Sequence, residues 1–137
     1  MVGFISQSKH IFVTGSAKSY LSAKLFETVM RKMGSFVISY STDFLDDAVT
    51  YLQPDDLMII FSASGNSAFI EKIVGIESRK LLITANPNSK YAEALDKVLV
   101  LPTLTGDWEY DSVSPVLFDI FTELLVTYYA KIPNLTD

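Results

Sequence analysis

The sequence predicts an α/β domain built on a five-stranded parallel sheet with helices on both faces. Two observations carry this. Leu57-Met58-Ile59-Ile60-Phe61 is an unbroken apolar run with β-branched and aromatic members. A strand that can afford no polar side is buried on both faces, as in the middle of a parallel sheet. Around it, short apolar runs alternate with stretches of helical periodicity, and parallel strands need such crossovers, normally right-handed.

Residues 1–9 read as a short lead, with Phe4 and Ile5 packed down as the end of a helix. His10-Ile11-Phe12-Val13 is the first strand, and Thr14-Gly15-Ser16-Ala17-Lys18-Ser19 is its hydroxyl-rich exit. Leu21, Leu25, Val29 and Met33, supported by Ala23, Phe26 and Met30, recur at helical spacing up to Gly34, a C-terminal glycine. Phe36-Val37-Ile38 is the second strand. Ser41-Thr42-Asp43 offers N-caps for a helix carrying Phe44, Leu45, Ala48, Val49 and Leu52, which Gln53-Pro54-Asp55-Asp56 ends.

The central run is the third strand, and its exit, Ser62-Ala63-Ser64-Gly65-Asn66-Ser67, is expected to open a helix through Phe69, Ile70, Ile73 and Val74. Leu81-Leu82-Ile83-Thr84 is the fourth strand, followed by Ala85-Asn86-Pro87-Asn88-Ser89. A small helix, Tyr91 to Leu95, precedes the fifth strand, Val98-Leu99-Val100-Leu101. The last helix is expected from Ser114 as N-cap and Pro115 to about Lys131, before Ile132-Pro133. Its apolar residues wrap further round than one sheet face covers, which points to a subunit contact through residues 114–131.

Composition narrows the function. The 137 residues suit one domain over 1–137 and are 49% hydrophobic, which excludes general disorder. A net charge of −5 with eleven scattered basic residues argues against a direct grip on nucleic acid or an anionic membrane. With no cysteine, disulfides, Cys-ligated zinc and thiol catalysis are excluded, and a reducing cytoplasm is the expected location. The start carries no secretory signal pattern, and no apolar run approaches the roughly twenty residues of a membrane span. No metal or cofactor is expected.

In a parallel α/β sheet ligands sit at the carboxyl ends of the strands, so both serine turns belong to one candidate site. Serine hydroxyls and backbone N–H groups suit the acceptor oxygens of a phosphate monoester, and a helix opening near Asn66 would add positive dipole. One such turn alone reads as an N-cap; two converging turns read as a binding site. The first is not a nucleotide P-loop. Lys18-Ser19 matches the end of G-x-x-x-x-G-K-[ST], but Phe12 and Ala17 stand at its glycine positions, and a G-x-G-x-x-G fingerprint keeps only Gly15.

Over about residues 9–131 the chain resembles the sugar isomerase (SIS) domain. Ser62, Ser64, Gly65 and Ser67 match its S-x-S-G-x-[ST] phosphosugar motif. Gly15 and Ser19 match its G-x-G-x-S turn, with Ala17 in place of the second glycine. Thr84-Ala85-Asn86 also fits. Within the family the chain looks most similar to the sensing domain of RpiR-type transcriptional regulators. The resemblance implies a flavodoxin-like three-layer αβα sandwich, a homodimer or homotetramer, and a phosphosugar held by Gly15, Ser16, Ser19, Ser62, Ser64, Gly65, Asn66 and Ser67 near the subunit contact. Such regulators carry a helix-turn-helix domain, which these residues do not contain.

The alternative is an aldose–ketose isomerase acting on a phosphosugar, which needs a base within hydrogen-bond reach of the sugar. Glu109 and Asp111 are the candidates before the last helix, and Glu123 lies within it. His10, the single histidine, precedes the first strand and is expected at the opposite sheet edge as a partly exposed residue. Asp46-Asp47, Asp55-Asp56 and Glu93 read as solvated faces or caps; Trp108 with Tyr110, in the loop after the fifth strand, reads as core packing, with closure over a sugar ring as the alternative. Acidic charge and the thin supply of bases favour sensing over catalysis.

Overall fold

A computed structural model of the chain describes residue 5 and residues 8–102 and 116–130. Its elements run β1 (Ile11–Gly15), α1 (Lys18–Lys32), β2 (Val37–Ser41), α2 (Leu45–Tyr51), β3 (Leu57–Phe61), α3 (Ile70–Val74), β4 (Arg79–Thr84), β5 (Lys97–Val100) and α4 (Val116–Ala130). All pairings are parallel, in the order β2-β1-β3-β4-β5. This is the flavodoxin-like order, in which the chain steps to one side of β1 for β2 and to the other for β3.

Alternation along the strands builds two apolar layers. Ile11, Val13, Val37, Leu57, Ile59, Phe61, Leu81 and Ile83 face Ala23, Phe26 and Met30 of α1 and Phe118 and Leu125 of α4. Phe12, Met58, Ile60 and Leu82 face Leu45 and Ala48 of α2 and Ile70 and Ile73 of α3. The architecture is therefore three-layered, as expected. All five residues of β3 are fully buried, as their apolar run requires. Ile5 joins the first layer; Phe4 lies outside the described residues.

Element ends differ from the expectation where polar residues complete a strand. β1 runs on through Thr14 to Gly15, because the Thr14 hydroxyl donates to the Tyr40 carbonyl at 2.7 Å and so can be buried. β2 continues to Ser41 for the same ladder. The expected caps of α2 form a 3-10 turn instead, Thr42–Phe44, without a side-chain cap bond. The small helix after β4 is a 3-10 turn, Ala92–Ala94. Asp56, expected as a solvated residue or a cap, is a buried cap: its carboxylate accepts from the Gln53 amide at 3.0 Å and meets His10 Nδ1 at 3.2 Å. Asp46, Asp47 and Glu93 are exposed.

Candidate functional site

β1 and β3 are hydrogen-bonded neighbours, with Gly15 opposite Phe61. The turns that leave them, Gly15–Ser19 and Ser62–Ser67, therefore start side by side at one sheet edge. That edge is the carboxyl end of the strands, at the point where the strand order reverses. His10 sits at the other end of β1, with its side chain 41% exposed, as the sequence implies.

The first turn is a tight II′-type reversal. The Ser19 amide donates to the Ser16 carbonyl at 3.0 Å, and Ala17 holds φ 51°, ψ −122°. This conformation favours glycine, so the substitution at the motif's second glycine did not relax the backbone. Gly15 is required by close approach: a Cβ there would stand 2.7 Å from the Ser19 carbonyl oxygen. Ser16 and Ser19 are half-buried. The fifteen-residue α1 starts at Lys18, so its dipole points its positive end at this turn.

The second turn is internally bonded. The Ser62 hydroxyl is buried, accepts from the Gly65 amide at 3.1 Å and lies 2.9 Å from the Ser67 hydroxyl. The Ser64 hydroxyl accepts from the Asn66 amide at 3.1 Å. Accepting leaves a hydroxyl its own proton to donate, so half-buried Ser64 keeps donor capacity, and Ser67 keeps it when Ser62 is the donor between the two. The amides of Gly65 and Asn66, by contrast, are spent inside the loop.

The helix expected to open near Asn66 begins at Ile70 and has five residues. Asn66 is held away from helical continuation: its side-chain oxygen accepts from the Lys90 amide at 2.8 Å. The longer helix dipole at this sheet edge is that of α1, whose N-terminus follows the first turn.

Thr84, Asn86 and Ser89, which the sequence does not single out as site residues, brace the loop from β4. Thr84 Oγ1 donates to the Ala63 carbonyl at 3.0 Å, Asn86 Nδ2 to the Ser64 carbonyl at 2.8 Å, and Ser89 Oγ to the Gly65 carbonyl. Gly65 holds φ 67°, and a Cβ there would lie 2.9 Å from both Thr84 Oγ1 and Ser89 Cβ. The signal was the cluster of short polar side chains after β4, which bond well to a neighbouring turn. Glu109, Asp111, Trp108 and Tyr110 lie outside the described residues; Glu123 is exposed on α4.

The strand order and the paired turns define a flavodoxin-like α/β sandwich with its hydroxyl turns at the switch point. Residues 4–116 match the model of the SIS domain, and the chain belongs to that family. A Chlamydia trachomatis protein described as uncharacterized is 32% identical over 98 residues, 69% of this chain and 30% of that protein. The chain thus matches under a third of that relative's length. Among solved structures, the sugar isomerase domain of the RpiR transcription factor from Sphaerobacter thermophilus superposes with a TM-score of 0.79. It is 22% identical, with 98% of this chain and 78% of that chain covered. The Vibrio vulnificus NanR protein complexed with ManNAc-6P superposes at 0.73, with 17% identity and coverage of 98% and 55%. At these identities the likeness is one of fold. Among the described residues no group of His, Asp and Glu has metal-binding geometry, and no helix is long and apolar enough to cross a membrane.

Proposed function

We propose that this chain is one phosphosugar-binding regulatory SIS domain, the effector-sensing part of an RpiR-type regulator or a stand-alone relative, acting in the cytoplasm. The observation that carries the reading is the adjacency of the two hydroxyl turns at the switch point, set by the Gly15–Phe61 register. Ser64 and Ser67 donate to phosphate oxygens, and Ser16 and Ser19 complete the grip from the first turn, beneath the α1 dipole. Ser62 and Gly65 hold the loop's shape, and Asn66 ties it to the β4 exit. NanR holding ManNAc-6P on the same fold supports a sugar phosphate as ligand.

The outer face of α4 supports a homodimer or homotetramer. Val116, Ile120, Leu124 and Tyr128 repeat every four residues and are 42–66% exposed, while Phe118, Thr122 and Leu125 are buried. An apolar stripe of this kind suits a second copy.

The isomerase alternative draws on the matched RpiR neighbour's description as a sugar isomerase domain, and it needs Glu109 or Asp111 as base. Turnover of a sugar phosphate that Glu109→Gln abolishes would establish it. The sensing reading is tested by a thermal-shift panel of sugar phosphates, amino-sugar phosphates and nucleotides. A sugar phosphate at a hundred times its dissociation constant is expected to stabilise the fold by about 2.7 kcal/mol. Absence of a shift with every sugar phosphate overturns the reading.

A further inference from the structure

β2 is an edge of the sheet, and among the described residues no strand pairs with its outer side. The Ile11 amide donates to the Phe36 carbonyl, and the Thr14 hydroxyl reaches the Tyr40 carbonyl, so residues 36, 38 and 40 turn their backbone groups toward β1. Alternation then points those of Val37, Ser39 and Ser41 outward. An uncharged, proline-free strand, Val37-Ile38-Ser39-Tyr40-Ser41, with open N–H and C=O groups is a template for strand addition.

Two of these outward groups are occupied by side chains of α1. The Glu27 carboxylate accepts from the Ser39 amide, and Arg31 Nε donates to the Val37 carbonyl at 2.7 Å. Glu27 and Arg31 are one helical turn apart and lie 3.9 Å from each other, so they form one clasp along the edge. Burial pushes the Glu27 carboxyl up, but the Ser39 hydrogen bonding and Lys24 outweigh it and hold it below the usual carboxylate range. The Glu27 carboxylate is therefore ionised at neutral pH.

We propose that Glu27 and Arg31 close the β2 edge against pairing with β2 of a second copy of this chain. A two-fold edge pair is antiparallel and would centre two Ser39 residues opposite each other, each giving its outward amide to the other. That approach must break both Glu27 hydrogen bonds and bring two carboxylates together, and like charges directly opposed are destabilising. This surface is distinct from the outer face of α4, and the inference does not depend on the ligand.

The test is sedimentation velocity across a concentration series for the wild type, Glu27→Ala/Arg31→Ala and Lys24→Ala. The double variant is expected to gain a self-association step about tenfold tighter than any the wild type shows at that edge, equivalent to about 1.4 kcal/mol. Lys24→Ala, which loses only the 3.4 Å contact to Glu27, is expected to sediment as the wild type does. Adding Ser39→Pro to the double variant removes the outward amide without costing a ladder bond and should reverse the association. A folded double variant that sediments like the wild type, or an association that Ser39→Pro leaves intact, overturns the proposal. Should the double variant fail to fold, Arg31→Ala alone decides, since its side chain is 54% exposed: unchanged sedimentation overturns the clasp, and new association reversed by Ser39→Pro supports it.

Discussion

Replacing Ala17 with glycine should stabilise this protein, against the usual direction of such a change. An alanine-to-glycine substitution ordinarily costs about 0.4–1 kcal/mol, because the unfolded chain gains freedom. Ala17 is different because it stands at φ 51°, ψ −122°, where a Cβ is strained and a glycine is not. Strain of this kind is worth about 1–3 kcal/mol. The side chain is exposed, so no core contact is lost. The difference favours Ala17→Gly by roughly 0–2.5 kcal/mol, centred near 1 kcal/mol. Urea unfolding reads it directly: with a slope of about 1–3 kcal/mol/M, the midpoint should rise by a few tenths of a molar or more at unchanged slope. A midpoint lowered by the amount expected from chain entropy alone would refute the strain argument, and with it the II′ reading of the first turn.

Three further outcomes follow from the same geometry. Gly65→Ala should destabilise by about 2–4 kcal/mol, because it adds a left-handed Cβ and places it 2.9 Å from Thr84 Oγ1 and Ser89 Cβ; chemical denaturation measures this. Ser62→Ala should cost about 1–2 kcal/mol, since its buried hydroxyl serves both Gly65 and Ser67, whereas Ser64→Ala should cost less than about 1 kcal/mol; the ordering of the two urea midpoints is the check. Glu27 has a folded pKa below its unfolded value, so its contribution is present above the unfolded pKa near 4.5 and is lost as pH falls through the folded pKa. Stability measured from pH 6 to pH 3 should therefore fall less steeply in Glu27→Gln than in the wild type, with Lys24 and Arg31 facing the group in both.

The layers and the site edge were legible because burial writes itself into apolar runs. Leu57–Phe61 matched its predicted bounds residue for residue, as a strand covered on both faces must. The apolar run that marks β2 ends at Ile38, and Ser41 reads as a helix cap; the place of Ser39, Tyr40 and Ser41 in the ladder is supported by Thr14 and Glu27, which lie far away in sequence. Asp56 likewise reads as either a solvated residue or a cap, and folding decides for the buried cap by bringing His10 and the Gln53 amide to it. In the site, the residue types of both turns were legible, but the division of labour was not. Ser62 and Ser64 are identical in sequence terms, and only the fold separates them: the Ser62 hydroxyl is buried and meets both Gly65 and Ser67, whereas that of half-buried Ser64 accepts from the Asn66 amide alone. The bracing by Thr84, Asn86 and Ser89 is a contact between neighbouring strand exits, and it becomes visible only with β3 and β4 in register.

The claim that the hydroxyl turns grip the phosphate of a sugar is tested most directly by calorimetric titration of the sugar phosphate that stabilises the protein best, into wild type and into Ser64→Ala. The account predicts saturable binding to the wild type and affinity weakened about tenfold or more in the variant, the loss of about 1.4 kcal/mol expected for a hydrogen bond to a charged group. Equal affinity for a folded Ser64→Ala would contradict it.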